Sequence, residues 1–200
     1  ICGNDRLKKV VKLNVQYISA TFVESNEKSD LKKIKIPLTL SLCVQDGDMN
    51  NCGHLQLYEI TDPDLLYRKY FYRSSASDTM KKDLKNVVEH VLKISKPEPD
   101  DIIVDIGSND CTLLNFYKKE FKLVGFEPAE NIQYINEGKN IKIFPDYFNA
   151  QDFNKNFDKK AKIITSCAMF YDLADPKKFA NDIETILEEN GIWCVQISYL

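Results

Sequence analysis

A short apolar run that stops at a single glycine constrains the fold of this chain more than any other feature. Residues 102–106 read Ile-Ile-Val-Asp-Ile, and Gly107 follows directly. Such a run is typical of a strand buried on both faces of a parallel sheet. Because glycine lets backbone approach a ligand closely, and α/β sheets bind ligands beyond the carboxyl ends of their strands, this loop predicts a ligand site.

Alternating strand and helix patterns follow this run and predict a Rossmann-like α/β domain with a mostly parallel sheet. The predicted strands are 102–106, 123–126, 141–144, 162–168 and 192–197, and the predicted helices are 113–121, 129–137 and 175–189, the last closed by Gly191. A longer helix precedes them from Thr79, with Ser77 or Asp78 as its cap. The expected division is a small β-rich domain over 1–60, an aromatic linker and helix over 61–98, and the Rossmann-like domain over 99–200.

An acidic residue, Glu127, stands at the end of the second strand, 22 residues after Asp105. A carboxylate at that spacing can accept hydrogen bonds from both hydroxyls of a ribose. The loop has one glycine rather than the G-x-G-x-x-G of dinucleotide sites, and Asp110 would repel a pyrophosphate. These features favour S-adenosylmethionine, whose sulfonium is positive, with a dinucleotide or a ligand-free α/β turn as alternatives. The predicted cofactor-binding residues here are Asp105, Gly107, Ser108, Asn109, Glu127 and Pro128.

Asp146, Tyr147 and Phe148 follow the third predicted strand. An acid there can accept the adenine amino group, and an aromatic ring can stack on the base. The alternative is a surface turn with a core phenylalanine. Ser166, in the fourth strand, completes the predicted cofactor set.

Composition limits the classes of partner. The net charge is −3 and the isoelectric point is about 5.5, which argues against a nucleic-acid-binding protein. No apolar run reaches the length of a membrane span, and no signal peptide is present, so we expect a cytoplasmic protein. The chain begins at Ile1 without a methionine and stops in a strand-like run at Leu200, which suggests a fragment of a longer protein.

Several motifs in order along the chain resemble the C-methyltransferases that act on nucleotide-linked deoxy-ketosugars. The region 104–114 and the run Gly-Phe-Glu-Pro-Ala at 125–129 match, as do 191–193 and 196–200. Residues 1–4 resemble the second half of a C-x-x-C-G-N opening. Residues 43–57 resemble a C…C-G-L-x-Q-L pair, and 67–74 resemble Y-x-x-Y-x-Y-R-S.

The resemblance implies a zinc-binding N-terminal domain, a methyltransferase domain of class I and a further C-terminal domain. It implies zinc ligands Cys2, Cys43 and Cys52, with a fourth cysteine just upstream of Ile1. A His-Glu-His motif holding the main base would lie beyond Leu200. The sequence departs from the pattern in three ways: Cys111 replaces a glycine, residues 44–51 are inserted, and Asp172 stands where many members have histidine.

The cysteines and the linker tyrosines can each be interpreted in two ways, as packing residues or as functional residues. Three scattered cysteines are often buried packing residues rather than ligands, and without the fourth thiolate the site could use His54 or Asp5. Cys111, Cys167 and Cys194 are expected to be packing residues. The linker tyrosines either pack between domains or line the sugar pocket, with Arg73 contacting a phosphate.

The predicted function is therefore transfer of a methyl group from S-adenosylmethionine to a carbon of a nucleotide-linked deoxy-ketosugar. Tyr72 and Asp172 are the candidate general bases within this chain. An O- or N-methyltransferase acting on another small molecule, and a non-catalytic cofactor-binding fragment, remain the alternatives.

Overall fold

The computed structural model describes residues 2–18, 34–44 and 51–197. The expectations about Ile1, residues 45–50 of the insertion and residues 198–200 lie outside these ranges. The chain divides into two compact units, Ile1–Phe71 and Tyr72–Leu200. Among the residues that the structure describes, each unit contains one β-sheet.

The first unit contains a three-stranded antiparallel sheet in the order β1-β2-β3. Its strands are β1 (Leu7–Tyr17), β2 (Lys35–Cys43) and β3 (Leu55–Leu57). A short helix, α1 (Pro63–Tyr67), follows; the Asp62 side chain caps it by accepting a hydrogen bond from the backbone N–H of Asp64. The β-rich character predicted for the N-terminal region is confirmed.

The second unit contains a five-stranded parallel sheet in the order β6-β5-β4-β7-β8. Its strands are β4 (Ile102–Ile106), β5 (Lys122–Phe126), β6 (Ile141–Phe144), β7 (Ala161–Cys167) and β8 (Leu187–Gln196). Numbered within this unit, the order is 3-2-1-4-5, so the chain reverses direction across the sheet between β4 and β7. Such a reversal opens a crevice at the carboxyl ends of the two central strands. The predicted Rossmann-like fold is confirmed.

Helices pack on both faces of the sheet and form a hydrophobic core on each. Ser77 caps helix α2 (Asp78–Ser95), since its hydroxyl accepts a hydrogen bond from Met80 N. The helix buries Leu84, Val88 and Val91 against one face of the sheet, in the first core. Helix α4 (Pro176–Ile186) buries Phe179, Ile183 and Ile186 against the other face, where α3 (Ala150–Asn156) also packs. Because successive residues of β4 point to opposite faces, Ile103 joins the first core and Val104 the second.

Two predicted helices are absent. Residues 113–121 contain only a 3-10 helix at Leu114–Phe116, and residues 129–137 contain no helix. The buried Asn115 gives a physical reason, since its amide donates to Ile135 O and accepts from Glu137 N. These bonds engage the backbone at 135 and 137 and account for the missing helix over 129–137. Gly191 also differs from expectation, because it lies within β8 rather than closing a helix.

Candidate functional site

The loop after β4 lies at the crevice where the strand order reverses. Gly107 has a left-handed backbone, with φ of 74°, which glycine adopts without strain. The backbone N–H groups of Gly107 and Ser108 both donate to Phe126 O at the end of β5, at 2.9 and 3.1 Å. A Cβ atom added to Gly107 would lie 3.5 Å from Met169 Cγ, which follows β7. The loop therefore lies close to the ends of both neighbouring strands.

Glu127 lies next to this loop, as the sequence predicts for a residue at the tip of β5. Its side chain is buried, and Oε2 accepts from Asn109 N at 2.7 Å while Oε1 accepts from Ala129 N at 2.9 Å. Burial raises the pKa of Glu127, against the opposing effect of these two N–H donors and of the Arg73 charge. Each carboxylate oxygen has a further lone pair, so the group can still accept hydroxyl hydrogen bonds.

Asp105 is buried within β4, the strand that leads into the loop. Its Oδ1 accepts from Thr165 Oγ1 at 2.6 Å, across the β4–β7 pair. Burial raises its pKa to about 7, against the effect of the Thr165 hydroxyl, and the nearby Glu127 charge adds to the rise. Asp105 is therefore placed to support the base of the crevice. Thr165 was not singled out from the sequence, because only the register of two strands distant in sequence brings it there.

Asn109 and Asp110 bind residues 72–75, which we call the clasp segment. Asn109 Oδ1 accepts from Ser74 N at 3.0 Å, and Asn109 Nδ2 donates to Tyr72 O at 3.1 Å. Asp110 Oδ2 accepts from Ser75 N at 2.9 Å. Burial alone would raise the pKa of Asp110, but the hydrogen bonds from Ser75 and Thr112 outweigh burial and lower it.

The residues after β6 are divided between solvent and core. Asp146 is exposed and accepts from Tyr147 N at 2.8 Å, while Tyr147 is half-buried. The Phe148 ring packs edge-on against Phe126 and Phe179, with centroid separations of 5.1 and 5.4 Å. The structure therefore places Asp146 at the same sheet edge as Glu127 and places Phe148 in the core.

Two further predicted cofactor residues occupy different surroundings. Pro128 is half-buried and directly follows Glu127 at the sheet edge. Ser166 is fully buried within β7, and its hydroxyl accepts from Trp193 Nε1 at 2.7 Å. This hydrogen bond ties Ser166 to the neighbouring strand β8.

The candidate bases differ in exposure. Tyr72 belongs to the clasp segment and is half-buried; burial and the Asp110 charge raise its pKa. A raised pKa favours the neutral phenol at neutral pH, which donates a hydrogen bond more readily than it accepts a proton. Asp172 is exposed and ends the 3-10 helix Phe170–Asp172 that follows β7.

Arg73 is engaged with backbone. Its Nη1 donates to Tyr72 O at 2.9 Å and its Nη2 to Asn131 O at 2.8 Å. The guanidinium also lowers the pKa of Glu127. The positive charge therefore lies on the Glu127 side of the loop and joins the clasp segment to the residues after β5.

Three cysteine thiols of the first unit come together as predicted for metal ligands. The sulfur atoms of Cys2, Cys43 and Cys52 all lie within 4.8 Å of one another, and the Cys2–Cys43 separation is 3.6 Å. A zinc ion with Zn–S bonds of about 2.3 Å places its ligand sulfurs about 3.8 Å apart. The arrangement therefore fits three corners of a tetrahedron.

The cysteine loops carry further features of such a site. Cys2 and Cys52 are each followed by a glycine with positive φ, at 80° and 65°. The backbone N–H of Asn4 is the main cause that lowers the pKa of Cys2 to about 7, which favours the thiolate that metals require. The Asn4 side chain also donates to Asn51, next to Cys52. Over the described ranges, neither His54 nor Asp5 joins the three thiols.

The other three cysteines have raised pKa values. Burial raises the pKa of Cys111 to about 12, and burial also raises the pKa of Cys167 and Cys194. Thiols that stay protonated are poor nucleophiles. Their surroundings agree with the packing role expected from the sequence.

The sequence is similar to a protein-family model over its N-terminal region and to a known protein over its whole length. Residues 1–67 match the family model described as "Putative zinc binding domain". The whole chain is 20% identical, over 203 residues, to "C-methyltransferase NovU" of Streptomyces niveus, and covers 47% of that protein. The chain thus spans about half the length of the curated relative it matches.

Solved structures with low sequence identity and TM-scores below 0.5 match part of this chain. The plantazolicin methyltransferase BpumL in complex with a triazolic analogue and SAH is 15% identical, with a TM-score of 0.47, covering 61% of this chain and 48% of that one. The cyclopropane synthase MmaA2 of Mycobacterium tuberculosis is 14% identical, with a TM-score of 0.46, covering 67% and 49%. The fold of the second unit is a Rossmann-like α/β fold with a five-stranded parallel sheet.

Among helices built from the described residues, none is both long and apolar enough to cross a membrane.

Proposed function

We propose that this chain is part of an S-adenosylmethionine-dependent methyltransferase. The observation that supports this proposal most strongly is the position of the buried Glu127 carboxylate. It accepts a hydrogen bond from Asn109 N and lies beside the Gly107 loop, where the strand order reverses. A carboxylate in this position suits a ribose diol. The short 3-10 helix after the loop offers little dipole to a pyrophosphate, and the buried Asp110 carboxylate would repel one.

S-adenosylmethionine, when bound, would supply an electrophilic methyl group on a positively charged sulfur. The residues of this chain would orient it: Glu127 would accept the ribose hydroxyls, and the exposed Asp146 would accept from the adenine amino group. The buried Asp105 would support the loop from below. Alignment of the methyl group with the acceptor in a dry crevice accounts for much of the rate in such transfers.

We propose that the acceptor is a carbon next to the carbonyl of a nucleotide-linked deoxy-ketosugar. The relative named as a C-methyltransferase supports carbon as the acceptor atom. Removal of the proton beside the carbonyl would leave an enolate, whose carbon attacks the methyl group as the C–S bond breaks. Tyr72 and Asp172 are the candidate bases within this chain, and the raised pKa of Tyr72 suits it better to hydrogen bonding with the enolate oxygen.

The three thiols of Cys2, Cys43 and Cys52 would hold a structural zinc ion, with a fourth ligand that the resemblance places just before Ile1. The matching family model supports this assignment. Zinc in this position would stabilise the loops of the first unit and would take no part in methyl transfer.

Calorimetry with S-adenosylhomocysteine tests the cofactor site. Glu127→Gln should weaken binding by at least tenfold, because an amide loses the charge-assisted hydrogen bonds to the ribose. Glu130→Gln, an exposed glutamate three residues on, is the matched control and should bind normally. Unchanged affinity in Glu127→Gln would count against the site.

Deuterium exchange tests the acceptor. The whole protein, incubated in D2O with a nucleotide-linked ketosugar and S-adenosylhomocysteine, should exchange the proton beside the carbonyl. The same sugar with its carbonyl reduced to a hydroxyl should not exchange. Methyl transfer to oxygen or nitrogen acceptors, without this exchange, would instead indicate an O- or N-methyltransferase.

A further inference from the structure

The clasp segment is bound to the cofactor loop through two side chains that are almost fully buried. Asn109 is 7% exposed and Asp110 is 1% exposed. Buried amide and carboxylate groups require hydrogen-bond partners. Both find them in the main chain of residues 72–75, about 35 residues earlier.

The same asparagine is also bound to the candidate ribose carboxylate. Asn109 donates through its backbone N–H to Glu127 and uses its side-chain amide for Ser74 and Tyr72. A continuous path of hydrogen bonds therefore runs from Glu127, through Asn109, to the main chain of Tyr72. Arg73 closes a second path by bridging Tyr72 O and Asn131 O.

The loop backbone depends on these contacts. Asn109 and Cys111 are non-glycine residues in left-handed conformations, with φ of 50° and 68°. Such conformations are disfavoured and persist where the surrounding contacts determine them. A ligand that contacts the Glu127 carboxylate will act on the hydrogen bond to Asn109 and so on the conformation of the loop.

We infer that Asn109 and Asp110 are positioning residues that transmit occupation of the cofactor crevice to the clasp segment, and so set the place of the candidate acceptor-side residue Tyr72. This inference rests on the proposed function. The inferred role is not a direct contact between the Asn109 side chain and the cofactor, because the amide oxygen and nitrogen of that side chain are both bonded to the clasp segment.

Amide hydrogen exchange measured by NMR tests the inference, because Ser74 N–H and Ser75 N–H are the donors of two of these bonds. Addition of S-adenosylhomocysteine to the chain should slow exchange at Ser74 by about five-fold, the factor corresponding to one neutral hydrogen bond. Exchange at Ser75, whose acceptor is the Asp110 carboxylate, should slow by at least as much. Exchange at Val104, in the core strand β4, serves as the internal reference.

Variants separate transmission from a purely structural role. In Asn109→Ala, exchange at Ser74 should be faster by a similar factor and should no longer respond to S-adenosylhomocysteine. Asn109→Asp keeps the oxygen that accepts from Ser74 N but loses the donor to Tyr72 O, so the response at Ser74 should return while the bond to Tyr72 stays lost. Asn154→Ala, an exposed asparagine of α3, is the matched control and should behave as the wild type.

The other possible outcomes distinguish failure of the inference from failure of the proposed function. Slower exchange at Asn109 and Ala129 with S-adenosylhomocysteine, without any change at Ser74 and Ser75, would overturn the inference and leave the proposed function standing. A chain in which none of these amides responds, and which binds no S-adenosylhomocysteine by calorimetry, would overturn both. Retention of the Ser74 response in Asn109→Ala would exclude Asn109 as the transmitting residue.

Discussion

The two β-sheets of this chain use their residues in opposite ways. Ten of the eleven residues of β1 are exposed, and the buried residues of β2 are Thr39, Ser41 and Cys43. All five residues of β4 are buried, and most are large and apolar. The first sheet therefore gains little from apolar burial, whereas the second lies between two hydrophobic cores.

The two units therefore differ in the source of their stability. A small sheet that buries few apolar side chains needs a cross-link such as a bound metal. The clustered thiols of the first unit would provide one, because they lie before β1, at the end of β2 and in the loop before β3. The parallel sheet is stabilised by packing and can carry a strained, polar loop at its edge.

Loss of the proposed zinc ion should have the largest effect. Cys43→Ser, or chelator treatment, should unfold the sheet of the first unit, since structural zinc contributes on the order of 10 kcal/mol to small domains. Amide exchange at Leu40 should become fast while exchange at Val104 stays slow. Cys194→Ser is the matched control, and a stable first sheet in Cys43→Ser would refute the comparison.

Core truncation should show the second effect. Ile164 is fully buried, and Ile164→Ala should lower the free energy of unfolding of the second unit by about 3 kcal/mol. Val15→Ala, at a β1 residue that is 55% exposed, should change stability by less than about 0.5 kcal/mol. Denaturant unfolding measures both. Equal effects would show that β1 is covered in solution.

The buried Asp105 should give the second unit a pH dependence. Its pKa is about 7 in the folded chain, above the ordinary value of 3.8. The folded state therefore keeps a proton that the unfolded state loses, so this contribution is complete below about pH 4 and is lost as the pH rises through 7. The free energy of unfolding should therefore fall by on the order of 2 kcal/mol between pH 5 and pH 8. Denaturant titrations over this range should show little of this fall in Asp105→Asn. A wild-type profile as flat as that of the variant would contradict it.

The smallest predicted effect concerns the loop glycine. Gly107→Ala should lower stability by about 1 kcal/mol, because alanine disfavours a φ of 74°. Crowding is not the reason, since the added Cβ would lie 3.5 Å from Met169 Cγ, an ordinary contact distance. Thermal unfolding measures the change, and an increase in stability would show that the loop relaxes away from the left-handed region.

Elements whose burial pattern is local could be predicted from the amino-acid sequence. The apolar runs of β4, β5 and β6 and the capped, amphipathic α2 were predictable, because strand burial and helix capping are written in adjacent residues. The position of Glu127 next to the Gly107 loop also followed, since parallel strands end at one edge of a sheet.

Contacts between residues that are distant in sequence became visible only in the folded chain. The predicted helix over 129–137 is absent where Asn115 bonds to its backbone, and helix α3 was not predicted at all. The bonds of Asn109 and Asp110 to residues 72–75 could not be predicted either. Such contacts depend on which buried polar group satisfies which, and a satisfied polar group leaves no periodic pattern in the sequence.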